Sequence, residues 1–153
     1  MEEGHELANH MTLDEPYTNR SEDEIIESLD ETQKIIVEAH GGKGPAIKWY
    51  RAPHARMNNR LRAIVESKGY VSALADVHSN DPRIVCAPKF HAKYLCWFAQ
   101  PGSILLLHCA DKKLHRQQTN KALRIAIPKL MSKSMGYKIV NLSQLHAECT
   151  KNP

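Results

Sequence analysis

The sequence predicts an α+β fold: a small antiparallel β-sheet with covering helices, preceded by an acidic N-terminal helix. Three observations carry this. Apolar residues recur at helical spacing in two segments, at Ile25, Ile26, Leu29, Ile36 and Val37, and again at Met57, Leu61, Ile64 and Val65. Two apolar runs, 93–98 and 104–109, flank the turn-forming Gln100-Pro101-Gly102-Ser103, which is hairpin spacing. Charge is divided along the chain: residues 1–38 hold twelve acids and two bases, whereas 39–153 hold nineteen bases and five acids. A basic body of this kind most often meets a polyanion, because neutralising phosphates releases counterions.

The first twenty residues are polar and without period, so they read as a loose tail. Ser21 followed by Glu24 is a capping-box pattern, and it opens a helix over about 22–39 that Gly41-Gly42 ends. Its apolar stripe must pack on the body or on a partner. Residues 1–42 thus form an acidic arm, solubilising or a mimic of the polyanion, and 43–153 a basic α+β domain. Ala46–Tyr50 reads as a short strand. Pro53 suits the start of a second helix, closed by Gly69, whose outer face carries Arg56 and Arg60 with Arg51 and Arg62 nearby.

Beyond Arg83 the expected elements are strands: Arg83–Cys86, the aromatic run Lys93–Phe98, and Ile104–Cys109, whose continuous apolar character predicts burial on both faces. A helix follows, capped by Thr119 and running through Ala122, Leu123, Ala126, Ile127 and Leu130, with Pro128 set to kink or end it; the competing reading is a strand over Leu123–Ile127. Tyr137–Leu142 completes the sheet.

One domain of this size buries a real core, and 42% apolar with 25% charged residues is ordinary for a soluble protein. No apolar run approaches a membrane span and the N-terminus is not signal-like, so the expected location is the cytoplasm, without a membrane partner. Cys86, Cys96, Cys109 and Cys149 match no zinc template and are expected as free thiols, with no metal and no cofactor. Nucleotide-binding loops and hydrolase elbows are absent, and five acids in the body are few for a two-metal nuclease.

What the body offers instead is cations and histidines around the expected hairpin: Arg83, Lys89, His91, Lys93, His108, Lys112, Lys113, His115 and Arg116. Such residues suit metal-independent RNA cleavage, in which cations stabilise phosphorane charge and a histidine moves the proton. The same cations equally suit plain phosphate binding, in which Arg51, Arg56, Arg60, Arg83, Lys89, Arg116, Lys121 and Arg124 would hold the backbone.

The run Ile104-Leu105-Leu106-Leu107-His108-Cys109-Ala110-Asp111-Lys112-Lys113, followed by a helix with spaced alanines, resembles the RelE/HigB-like toxin superfamily. The resemblance implies a RelE-like curved antiparallel sheet and an endoribonuclease acting on mRNA, at the ribosome in some members. It also implies a cognate antitoxin as protein partner. Lys112 and Lys113 match the family's paired lysines, Lys93 lies near its arginine, and His91 or His108 would transfer the proton. The competing expectations are a non-catalytic nucleic-acid- or ribosome-binding protein, and an inhibitor that binds acidic protein.

Overall fold

The computed structural model describes residues 4–42, 47–109 and 113–151, without the side chains of 113–115. Two compact units divide the chain, 4–74 and 75–151 over the described residues.

In the first unit the strands β1 (Ala8–Asn9), β2 (Trp49–Tyr50) and β3 (Val71–Ser72) form a parallel sheet in the order β1-β2-β3. Ala8 pairs with Trp49, and Trp49 with Val71. Parallel neighbours need a crossover, and helices supply it here: α1 (Glu22–Ala39) between β1 and β2, α2 (Asn59–Ser67) between β2 and β3. The expected capping box is present at α1. Glu24 N–H donates to Ser21 Oγ (3.3 Å), and Ser21 N–H donates to Glu24 Oε2 (2.7 Å). Those bonds from Ser21, with Arg20 assisting, hold the Glu24 carboxyl down at about 2. The acidic helix is built into the core: Ile25 and Leu29 are fully buried with Tyr50, Ala52, Leu61 and Val65. Helix α2 is capped by Asn58, whose Oδ1 accepts from Leu61 N–H at 2.8 Å.

Tyr50 contributes a large apolar surface at the centre of this sheet, yet its hydroxyl is buried without a hydrogen-bond partner. Burial accordingly pushes the phenol's pKa up. An unpartnered buried hydroxyl costs roughly 1–3 kcal/mol in desolvation. Tyr50→Phe is therefore expected to stabilise the chain by about 1 kcal/mol, read as a raised thermal midpoint in circular dichroism. A lowered midpoint would show that the hydroxyl has a partner.

In the second unit β4 (Val77–His78) pairs in parallel with β5 (Leu105–Leu106), joined through α3 (Pro88–Phe98). Helix α4 (Lys113–Leu130) packs against α3, and α5 (Leu142–Lys151) ends the unit. Val77, Ala92, Leu95, Ala126 and Leu130 form the core, with Tyr94, Cys96, Leu107, Met135 and Tyr137 packed on it.

The antiparallel α+β expectation is therefore wrong: among the described residues the pairings are all parallel, and the architecture is α/β. The segment 93–98 is helix, not strand. Pro88 stands in the first turn, His91, Ala92 and Leu95 fall on one buried face, and Phe90, Tyr94 and Phe98 line up one turn apart, with ring centroids 6.0 and 4.5 Å apart. Arg83–Cys86 is turn, with Arg83 and Ile84 N–H both donating to Asn80 O. The last expected strand is replaced by an irregular stretch leading into α5, where Asn141 Oδ1 accepts from Gln144 N–H at 2.9 Å. Residues 44–46, expected in a turn and at the start of a strand, lie outside the described residues.

Candidate active site

Each unit carries one concentration of chemically capable side chains. The more ordered of the two is in the second unit, where the chain leaves β4 and β5 side by side. Parallel pairing brings both strand ends to one edge, so Asp81, just beyond β4, meets His108, just beyond β5. Asp81 is 3% exposed. One of its oxygens accepts His108 N–H at 2.7 Å and the other lies 3.0 Å from His108 Nδ1. Burial pushes the Asp81 carboxyl up, but the hydrogen bonds and charge of His108 outweigh that and hold it below the ordinary aspartate value. The carboxylate is thus the form present at neutral pH. It fixes the proton on Nδ1 and directs Nε2 away, the arrangement that makes an imidazole a proton-transfer group. The ring is part-exposed while its carboxylate is buried.

Further polar groups surround this pair. Thr119 Oγ donates to His108 O at 2.6 Å. Gln118 Nε2 donates to Asp81 O (3.2 Å) and Ile84 O (3.1 Å), and its Oε1 accepts Ala87 N–H at 2.8 Å. His91 is fully buried, its Nε2 2.8 Å from Ile84 O and its Nδ1 2.8 Å from Ser79 Oγ. The Ile84 carbonyl can only accept, so Nε2–H donates to it.

In the first unit, His10, Asp14 and His54 converge. His10 Nδ1 lies 2.6 Å from Arg51 O, and its Nε2 lies 4.0 Å from Asp14 Oδ1. His54 Nε2 lies 3.7 Å from the same oxygen and 3.0 Å from Asp14 O. His54 and Ala55 both hold left-handed backbone (φ 54° and 55°), a costly conformation outside glycine that turns the ring toward Asp14. Burial lowers the pKa of the Arg51 guanidinium, and the Asp14 charge opposes that shift.

The residues expected around one hairpin, and the further cations expected to hold a nucleic-acid backbone, are dispersed. Arg51, Arg56 and Arg60 belong to the first unit, after β2, after the turn Pro53–Ala55, and on α2. In the second unit, Arg83 lies in the turn, Lys89, His91 and Lys93 on α3, and Lys113, Arg116, Lys121 and Arg124 on α4. Lys112, with the side chains of Lys113 and His115, lies outside what the structure describes. His91 is sealed in the core, and His108 is brought to Asp81. Asp81 was passed over in the sequence. Its signal was scarcity, as one of five acids in 39–153, set in the turn-forming Asn80-Asp81-Pro82.

Residues 1–73 match the polysaccharide deacetylase family. The chain is 32% identical, over 95% of its length, to a peptidoglycan-N-acetylglucosamine deacetylase of Bacillus cereus, of which it covers 65%. A family 4 acetyl xylan esterase from Clostridium thermocellum, solved with a cobalt ion, superposes with a TM-score of 0.81 at 29% identity over 96% of this chain and 66% of that one. The fold is that of the CE4 deacetylases. The peptidoglycan deacetylase PdaC of Bacillus subtilis also shares the CE4 fold, with a TM-score of 0.79 at 26% identity over 98% of this chain and 67% of that one. The chain spans about two thirds of the length of these relatives, and less than that of the Bacillus cereus protein.

These similarities overturn the RelE-like resemblance and everything drawn from it: the toxin–antitoxin setting, the endoribonuclease, and RNA, ribosome or antitoxin as partners. They equally displace the nucleic-acid-binding and inhibitor alternatives. The resemblance rested on ten residues, a leucine-rich run before two lysines. That run contains a two-residue parallel strand, and among the described residues no antiparallel hairpin precedes it.

Proposed function

We propose that this chain works as a polysaccharide deacetylase, hydrolysing the acetamido groups of N-acetylglucosamine units. The observation that carries the reading is His108, part-exposed at a strand end and oriented by the buried Asp81 carboxylate. Its identity with the Bacillus cereus deacetylase supports the same chemistry and substrate class.

Amide hydrolysis is slow because the amine is a poor leaving group until it is protonated. Water adds its oxygen to the acetyl carbon and gives up a proton to solvent, giving a tetrahedral species with a negatively charged oxygen. When that species collapses, the C–N bond breaks, its electron pair stays on nitrogen, and acetate is released. His108, protonated on Nε2, gives the nitrogen its proton as the bond breaks. Asp81 stabilises the imidazolium before transfer and preserves the ring's orientation after it.

The cobalt ion of the Clostridium thermocellum esterase raises the question of metal donors in this chain. His10, Asp14 and His54 come nearest to a set. His54 Nε2, however, is within hydrogen-bond distance of Asp14 O, and its lone pair is not available while that N–H donates. Among the described residues no three His, Cys, Asp or Glu side chains are disposed to hold an ion. The donors described do not fit such a group, and no step above is routed through one.

The test is acetate release from hexa-N-acetylchitohexaose and from peptidoglycan, followed with an enzyme-coupled acetate assay. Release well above a buffer blank is expected. No release from either substrate would refute the reading and leave a deacetylase fold without the activity.

A further inference from the structure

We infer that Thr119 and Gln118, adjacent residues of α4, are positioning residues that set the distance and orientation between His108 and Asp81. This rests on the deacetylase reading for its consequence in activity, but not for its geometry. The two reacting-site residues sit on separate loops, one after β4 and one after β5, and strand pairing alone fixes neither loop. The pair therefore needs an outside reference, and α4 supplies it. Thr119 Oγ donates to the carbonyl of His108 at 2.6 Å. Gln118 Nε2 donates to the carbonyl of Asp81 at 3.2 Å and to that of Ile84 at 3.1 Å, while Oε1 takes Ala87 N–H at 2.8 Å.

Both side chains are buried, at 6% and 4% exposure, so water is a poor substitute for either. Neighbouring residues on a helix point about 100° apart. That divergence suits one helix to hold two loops at once. The contacts are to backbone carbonyls and one backbone N–H, so they act on where each loop sits and leave the reacting side chains untouched. A misplacement of about 1 Å at a proton-transfer group lowers a rate by as much as a hundredfold.

The experiment uses the full chain labelled with 15N, reading the His108 ring Nδ1–H resonance by NMR beside acetate release. Wild type is expected to show a downfield Nδ1–H proton, the signature of the bond to Asp81. In Thr119→Val that resonance should be lost or exchange-broadened and kcat fall roughly tenfold or more with KM unchanged, while Thr119→Ser restores both. If Thr119→Val does not fold, Gln118→Glu carries the same readout, since it keeps the acceptor for Ala87 and removes the donor to Asp81. A folded Thr119→Val or Gln118→Glu that keeps the wild-type resonance overturns the inference, whatever happens to kcat. Should wild type release no acetate, the deacetylase reading falls, and the resonance alone decides for or against positioning.

Discussion

Replacing His108 with alanine is expected to lower kcat for acetate release by about 10²–10⁴-fold, the usual worth of a positioned acid. KM should stay close to its wild-type value, because the ring acts on the leaving nitrogen and is not a sugar-binding surface. The fold should survive, since the imidazole is part-exposed and its main-chain bond to Asp81 remains. Asp81→Asn is the sharper companion. Its side chain can still accept one hydrogen bond, but the charge that stabilises the imidazolium is gone, and an amide nitrogen then faces either His108 N–H or Nδ1–H. A rate loss similar to that of His108→Ala, and no further loss in the double variant, is expected of two groups acting as a unit. Steady-state kinetics on the chitohexaose substrate, with circular dichroism to verify folding, checks both. Activity of His108→Ala within threefold of wild type would remove the imidazole from the chemistry.

The largest effect on stability is expected at Asn9. Its side chain is fully buried, and every polar atom on it is used: Nδ2 donates to Leu29 O (2.9 Å) and lies 3.2 Å from Tyr70 Oη, while Oδ1 accepts Met11 N–H (3.0 Å). It therefore ties the end of β1 to α1 and to the residue before β3. Met11 stands in left-handed backbone (φ 63°), which that last bond helps to hold. Asn9→Leu has similar volume but none of these bonds, and it strands the Met11 N–H in the core, while Leu29 O keeps its bond within α1. At about 1 kcal/mol per lost bond plus the cost of the stranded group, a loss of roughly 3–5 kcal/mol is expected. The urea midpoint measures it. A loss under 1 kcal/mol would mean that water replaces the side chain.

The local signals of the sequence were read well where they were self-contained. Ser21 and Glu24 announce α1 because both halves of the cap lie within one turn; the spacing of Leu61, Ile64 and Val65 announces α2, but the expected start at Pro53 and Met57 both fall before it, because Pro53–Ala55 is a separate turn and Asn58 caps the helix. The run Lys93–Phe98 predicts a strand because aromatic residues favour strands intrinsically, whereas here Phe90, Tyr94 and Phe98, one turn apart, stack along a helix. Sheet direction was not legible at all. Each strand pairs through two residues, too few for an alternating pattern to develop. The site was half visible. His108 stood out by type, but its partner Asp81 lies 27 positions earlier, and only the parallel pairing of β4 with β5 joins them.

Those two-residue ladders also bear on how the chain finds its structure. Joining Ala8 to Trp49 closes a long loop for very few hydrogen bonds, so the entropy lost comes well before any return from the sheet. Pairing cannot start such a fold. The early events belong to α1, which forms locally behind its capping box, and to the apolar faces of α1 and α2 that then meet through Ile25, Leu29, Leu61 and Val65. The strands are drawn together afterwards. In hydrogen exchange the slowest amides should accordingly lie in the helices, with the sheet no more than a late seam between them.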